Sequence, residues 1–335
     1  MRAPGDPAAW SALDRVLDGH DRFLLVTHIN PDGDGLGSEL ALALHLAAIG
    51  KSVRIVNASP VPRPFAFLQE GAPRVEIYDE RVHRSDLLVA PCIVVLDTAE
   101  WSRLGRLEPA VRDSGGTLLV VDHHVAPAPM GHAFLSVPTA SSTGELIYHA
   151  LVRRGQRITP AISRALFVAI ATDTGWFRYE NTSADVLRIA AALIDAGAQP
   201  REIFRQVYEN TTWDDVELFR ALVGSLKPAC DGKVAVIHVD RDLYERYAAC
   251  DMDRILDYAL SIPNIEIVLF FKQVASTATK LSLRSRGTLD IGDLARRHGG
   301  GGHRNAAGVL AQTGPKALET QILADVRALL ERARA

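Results

Sequence analysis

Between Phe23 and His124 the chain alternates two patterns. Short runs that are almost wholly apolar and rich in β-branched residues recur as FLLVTHI, SVRIVNA, RVEIYD, CIVVLD and TLLVVDHH. Longer segments between them repeat their apolar residues every three to four positions, as in SELALALHLAAIG, where Ser38 can cap the start and Gly50 the end. Strands apolar on both sides and separated by helices predict a parallel sheet covered on both faces. SSTGELIYHALVRRG reads as a later helix with Ser142 and Glu145 spaced as a capping box. ISRALFVAIATDTGWFRY reads as another, ending near Asp173.

From about Thr182 the pattern becomes helical through SADVLRIAAALIDAGA, PREIFRQVY and TTWDDVELFRALVGSL. A new αβ pattern starts after Asp231-Gly232 with KVAVIHV and continues through IEIVLFFKQV, KLSLRSRG and GVLAQ. The expected fold is therefore α/β with two domains. An N-terminal parallel-sheet domain spans 1–212. A helical connection and a smaller C-terminal α/β domain span 213–335.

Composition narrows the class. The 335 residues are 47% hydrophobic, yet no apolar run is long enough to span a bilayer. The N-terminus has no basic region followed by an apolar core, and Cys92, Cys230 and Cys250 form no close pair. Both features lead to an expectation of reduced thiols, a cytoplasmic location and no membrane partner. The net charge is −3, whereas wrapping long duplex nucleic acid calls for a basic excess. One local excess exists, from Lys280 to Arg304, so any nucleic-acid substrate is expected to be short and held by local charges.

The candidate chemistry sits at the ends of the predicted strands. His28 ends one, with Asp32 and Asp34 just beyond in HINPDGDG; Asp97 ends a second; Asp122, His123 and His124 end a third. Ligands of open α/β sheets bind beyond the carboxyl ends of the strands, so these residues share one rim, and Asp173 can join from a helix end. Taken singly, PDGDG is a solvated turn, Asp97 a helix cap and His-His a surface pair. Four such events at like positions are hard to ascribe to independent turns. Carboxylate and imidazole without thiolate suit Mn²⁺, Fe²⁺, Mg²⁺ or Zn²⁺. Two such ions roughly 3.5–4 Å apart can hold both the attacking and the leaving oxygen in phosphoester hydrolysis.

A second signal is HGGGGHRNAAG, His298 to Gly308. Four glycines remove side chains, so backbone N–H groups can face an anion. His303 and Arg304 follow at once, and LRSR lies nearby in sequence, which favours a phosphate cradle over a plain loop. Trp101, Trp213, Phe270 and Phe271 read as core or interface residues, and Glu100, Asp214 and Asp215 as solvated or capping charges.

These motifs resemble those of the DHH phosphoesterases. TLLVVDHH carries the Asp-His-His triplet; HINPDGDGLGS, VVLDTA and ATDTG are similar to the other motifs of the first domain; GGGGHRNAAG resembles the signature of the DHH-associated C-terminal domain. The order and layout are similar to the nanoRNase/pAp-phosphatase branch. The resemblance implies two divalent cations, manganese first among them. His28 and Asp32 would bind one; Asp34, His123 and Asp173 the other; Asp97 both. Asp122 would orient an imidazole and His124 would face the scissile phosphate. Arg284, Gly301, Gly302, His303 and Arg304 would hold the substrate phosphate or 3′-nucleotide in a cleft between domains. The implied activity is hydrolysis of very short RNA and of 3′-phosphoadenosine 5′-phosphate (pAp). A linear or cyclic dinucleotide phosphodiesterase and a non-catalytic nucleotide-binding regulator are the alternatives, and a homodimer is one assembly left open.

Overall fold

The computed structural model describes residues 3–125, 128–248, 250–302 and 304–334, with Arg334 described by its backbone alone. His303 therefore lies outside the described residues. The chain divides into two compact units, one up to Asn210 and one from Thr211.

The first unit runs α1 (Pro7–Gly19), β1 (Arg22–Thr27), α2 (Gly33–Ala48), β2 (Ser52–Asn57), β3 (Val75–Ile77), α3 (Glu80–Leu88), β4 (Cys92–Leu96), α4 (Glu108–Arg112), β5 (Thr117–Asp122), β6 (Ala133–Ser136), α5 (Thr143–Arg153), α6 (Pro160–Asp173), α7 (Ala184–Asp195) and α8 (Pro200–Tyr208). Its six strands pair in parallel in the order β3-β2-β1-β4-β5-β6. Successive β1 residues face opposite sides. Leu25 joins a core with Leu36 and Leu40 of α2 and Leu166 of α6, whereas Leu24 and Val26 join one with Leu87 and Leu107. Two buried faces account for the continuous apolar runs. The strand order reverses between β1 and β4, which makes the crevice beyond their carboxyl ends the place where such sheets take ligands.

Helix α2 begins earlier than its sequence suggests. Asp32, not Ser38, is its N-cap and accepts from Asp34 N and Gly35 N, so DGDG forms a first helical turn and no solvated turn. The glycines there serve close packing. A Cβ on Gly37 would lie 2.4 Å from Ala165 O of α6, and one on Gly35 would lie 2.7 Å from Thr27 Oγ1. At α5, Ser142 accepts from Glu145 N, but Glu145 Oε2 accepts from Ser141 N, so only half of the expected capping box forms.

The second unit runs α9 (Trp213–Ser225), β7 (Lys227–Ala229), β8 (Val234–Val239), α10 (Arg241–Arg246), α11 (Arg254–Leu260), β9 (Ile267–Ala275), β10 (Ala278–Ser285), α12 (Ile291–Arg297), β11 (Gly301–Gly302), β12 (Ala306–Ala311) and α13 (Pro315–Arg334). Its sheet order is β11-β12-β10-β9-β8-β7, with β8 and β9 parallel and the other pairs antiparallel. Phe270 and Phe271 face opposite cores, while Trp213, expected in a core or interface, is 83% exposed. A full capping box links Thr212 and Asp215. No helix among the described residues is long and apolar enough to cross a membrane.

Candidate metal centre

Three strand ends and two helix ends build one acidic pocket in the first unit. His28 follows β1, Asp97 follows β4, and His123 and His124 follow β5. Asp32 and Asp34 open α2, and Asp173 closes α6. His28 Nε2 lies 3.3 Å from Asp97 Oδ2 and 3.8 Å from Asp32 Oδ1. His123 Nε2 lies 3.7 Å from Asp34 Oδ2, 3.7 Å from Asp97 Oδ1 and 3.6 Å from Asp173 Oδ2. His28, Asp32 and Asp97 thus form one group with ligand atoms within 4.8 Å of one another, and Asp34, His123 and Asp173 form another. Asp97 presents one oxygen to each side.

Each side chain is held for this arrangement. Asp97 is buried and has φ 63, a left-handed conformation that costs a non-glycine residue about 1–3 kcal/mol and aims its carboxylate into the pocket. Thr143 Oγ1 donates to Asp97 Oδ1 at 3.0 Å. Asp34 sits at the start of α5, where Thr143 N and Gly144 N donate to its two oxygens at 2.7 and 2.8 Å, and Ser38 Oγ adds a bond at 3.1 Å. The His28 ring is fixed through Nδ1 by Ile29 O at 2.9 Å. Asp122 Oδ1 accepts from His124 Nδ1 at 2.7 Å and from its backbone N at 3.1 Å. Such carboxylate partners set ring orientation and tautomer.

The charges strain one another. Burial, with Asp97, Asp173 and Asp32 nearby, raises the Asp34 carboxyl well above its usual range. Burial, then Asp97 and Asp32, raise Asp173 to about 7. Burial disfavours a charged His28, yet the Asp32 and Asp97 carboxylates outweigh it and raise the pKa to about 10. Burial dominates at His123, whose pKa falls. Meanwhile His28 Nε2 and His123 Nε2 are buried without a hydrogen-bond partner. Lone-pair donors crowded around unpartnered imidazole nitrogens are the environment a divalent cation relieves, and the absence of thiolate restricts it to hard or borderline ions.

The glycine signal lies in the second unit, where it forms less of a loop than its composition suggests. Gly301 and Gly302 make edge strand β11, paired with Gly308 and Ala307. Gly299 N and Gly300 N close the end of α12 by donating to Arg296 O and Ala295 O. No atom lies within 4 Å of where a Gly301 side chain would start. Arg284 is half-buried on β10 beside β12. Arg304 donates from Nε and a terminal nitrogen to Thr288 O at 3.1 and 2.7 Å, so it also shapes the turn before α12. The sequence reading missed His298, whose Nε2 lies 2.7 Å from Asp325 of α13 and ties the start of the glycine run to that helix. It also missed Thr143 and Gly144; the capping pattern SSTGE marked their helix start but not its target.

Known proteins match both units of the chain. The model of the DHH family N-terminal domain matches residues 22–172, and that of the DHHA1 domain matches residues 219–332. A Thermus thermophilus relative named bifunctional oligoribonuclease and PAP phosphatase NrnA is 30% identical, covering 90% of this chain and 89% of its own. A Bacillus subtilis relative of the same name is 26% identical, covering 95% of this chain and 97% of its own. Among solved structures, an exopolyphosphatase-related protein from Bacteroides fragilis matches with a TM-score of 0.90 at 25% identity, over 99% of this chain and 100% of that one.

Proposed function

The chain belongs to the DHH family of phosphoesterases, and from that premise we propose that it hydrolyses very short RNA to mononucleotides and pAp to AMP. The observation that carries the reading is the pair of buried, unpartnered nitrogens, His28 Nε2 and His123 Nε2, each facing its own carboxylates with Asp97 between. His28 and Asp32 would hold one divalent cation, Asp34, His123 and Asp173 a second, and Asp97 both. The donor set suits hard or borderline divalent ions, and the family resemblance puts manganese first among them. Such ions supply Lewis acidity at the phosphoryl oxygens and acidify water near neutral pH.

The protein's own share is positioning. The start of α5 fixes Asp34, the left-handed turn at Asp97 aims the shared carboxylate, and Asp122 orients His124 towards the scissile phosphoryl group. In the second unit, Arg284, Gly301 and Gly302 would grip the substrate's far phosphate or nucleotide. Arg304 would act through the turn it holds, and the resemblance to the family motif adds His303. Short substrates agree with a net charge of −3.

The test offers pAp, pyrophosphate, cyclic dinucleotides, and RNA from dinucleotides to long single strands to the manganese-loaded protein. Turnover of pAp and the shortest RNAs alone is the expected result. Cleavage of pyrophosphate alone, or a strong preference for cyclic dinucleotides, overturns the substrate assignment. Inertness to every substrate with every divalent ion overturns the enzymatic reading.

A further inference from the structure

Arg103 lies in the 3₁₀ segment Trp101–Leu107, six residues beyond Asp97. Its backbone oxygen accepts from Ile29 N at 2.7 Å, which ties it to the loop between His28 and Asp32. Two residues on, Gly105 turns at φ 56, and a Cβ there would lie 2.5 Å from Ile29 Cγ2. The segment is therefore seated flush on the ligand loop by contacts that leave the Arg103 side chain out.

That side chain is half-buried. Among the described residues its guanidinium makes no hydrogen bond, ion pair or ring contact, in contrast to its neighbours Arg106 and Arg112, which stack on Tyr78 and Trp101. The guanidinium lies within electrostatic range of His28, Asp32 and His124. Arg103 therefore stands close to the first ligand group and to the residue assigned to the phosphoryl group. A cation beside a cation-binding pocket weakens metal binding by repulsion, so metal affinity does not explain its placement. A guanidinium offers five N–H donors in a planar fork suited to phosphate oxygens.

We propose that Arg103 is a catalytic residue, its guanidinium contacting a non-bridging oxygen of the scissile phosphoryl group and stabilising the charge that builds there as the P–O bond breaks. The assignment rests on the phosphoesterase reading above.

The experiment compares wild type, Arg103→Ala and Arg103→Lys on pAp, a dinucleotide and bis(p-nitrophenyl) phosphate, which carries the phosphoryl group but no nucleoside. Manganese binding and melting temperature are measured on each protein. Removing one such donor should lower kcat by roughly 10²–10³-fold, by a similar factor on all three substrates. Lysine should restore part of the loss, and added guanidinium should partly rescue the alanine variant. Manganese should bind as well as to wild type or more tightly. Losses confined to the two nucleotide substrates would place Arg103 at a distant part of the substrate and overturn the assignment. A fall in manganese affinity would make it a support of the ligand loop, with the same consequence. Full activity of Arg103→Ala beside an active wild type sinks this assignment alone; an inert wild type sinks the phosphoesterase reading and this assignment with it.

Discussion

Asp173→Asn separates what the acidic cluster does for stability from what it does for metal binding. Asp34 and Asp173 place ligand oxygens within 4.8 Å of each other around His123. Two like charges at that distance repel by roughly 3 kcal/mol at an effective dielectric near 20. The pKa gives a second route to the magnitude. Asp173 rises from 3.8 to about 7, first through burial and then through Asp97 and Asp32. Roughly three units correspond to about 4 kcal/mol between the two protonation states. A carboxyl whose folded pKa is raised is favoured by folding only while protonated. Stability therefore falls as pH climbs from 3.8 to about 7, and the full penalty applies above that window. The side chain is 29% exposed, and solvent screening reduces the penalty to about 2 kcal/mol. Asparagine carries no charge to repel. With chelator at pH 8, Asp173→Asn should therefore melt about 4–8 °C above wild type, at 2–4 °C per kcal/mol for a unit of this size. At pH 5 most of the difference should vanish. Manganese should raise the wild-type melting temperature by mass action and raise that of the variant much less. Thermal melts at both pH values, with chelator and with manganese, decide the matter. A variant that melts below wild type with chelator at pH 8, or that gains as much from manganese, refutes the reasoning.

Asp97→Asn should abolish turnover of pAp, a loss of at least 10²–10³-fold, with an unchanged circular dichroism spectrum; near-normal activity would remove Asp97 from its shared position. Glu39 is fully buried, accepts from Asn57 Nδ2 at 2.8 Å, and burial raises its pKa from 4.5 to about 8. Wild type should lose stability as pH rises through that window, so Glu39→Gln should melt higher at pH 9 and nearly the same at pH 5. Gly37→Ala would drive a methyl to within 2.4 Å of Ala165 O, and forcing α2 from α6 should cost about 1–3 kcal/mol in a denaturant titration.

The first-unit sheet was legible because β1, β4 and β5 are buried almost from end to end and helices recur between the strands. Its candidate ligands were legible because they stand at strand and helix ends beside the reversal in strand order between β1 and β4. β6 was not, since AFLS is too short to show a period. The start of α2 was hidden by its own glycines: PDGDG has turn composition, yet Asp32 caps a helix whose glycines are required by contact with α6 and β1, which only tertiary packing reveals. The chain after Asp173 shows the same limit. Gly175, Trp176 and Phe177 turn consecutively at φ 56, 57 and 63, a conformation that propensity forbids for the two aromatics. Packing of Trp176 against Phe167, Phe204 and Tyr208 stabilises it from residues remote in sequence. In the second unit the glycine run read as a loop because glycine disfavours strands, and its pairing with β12 overrode that preference.

On the reading proposed above, Asp97 and the five side chains around it form one centre for two cations. Anomalous diffraction at the manganese edge, from crystals of the full chain soaked in manganese, tests it most directly. Two peaks about 3.5–4 Å apart are expected, one against His28, Asp32 and Asp97 and the other against Asp34, His123, Asp173 and Asp97. A single peak, or two that do not share Asp97, contradicts the account.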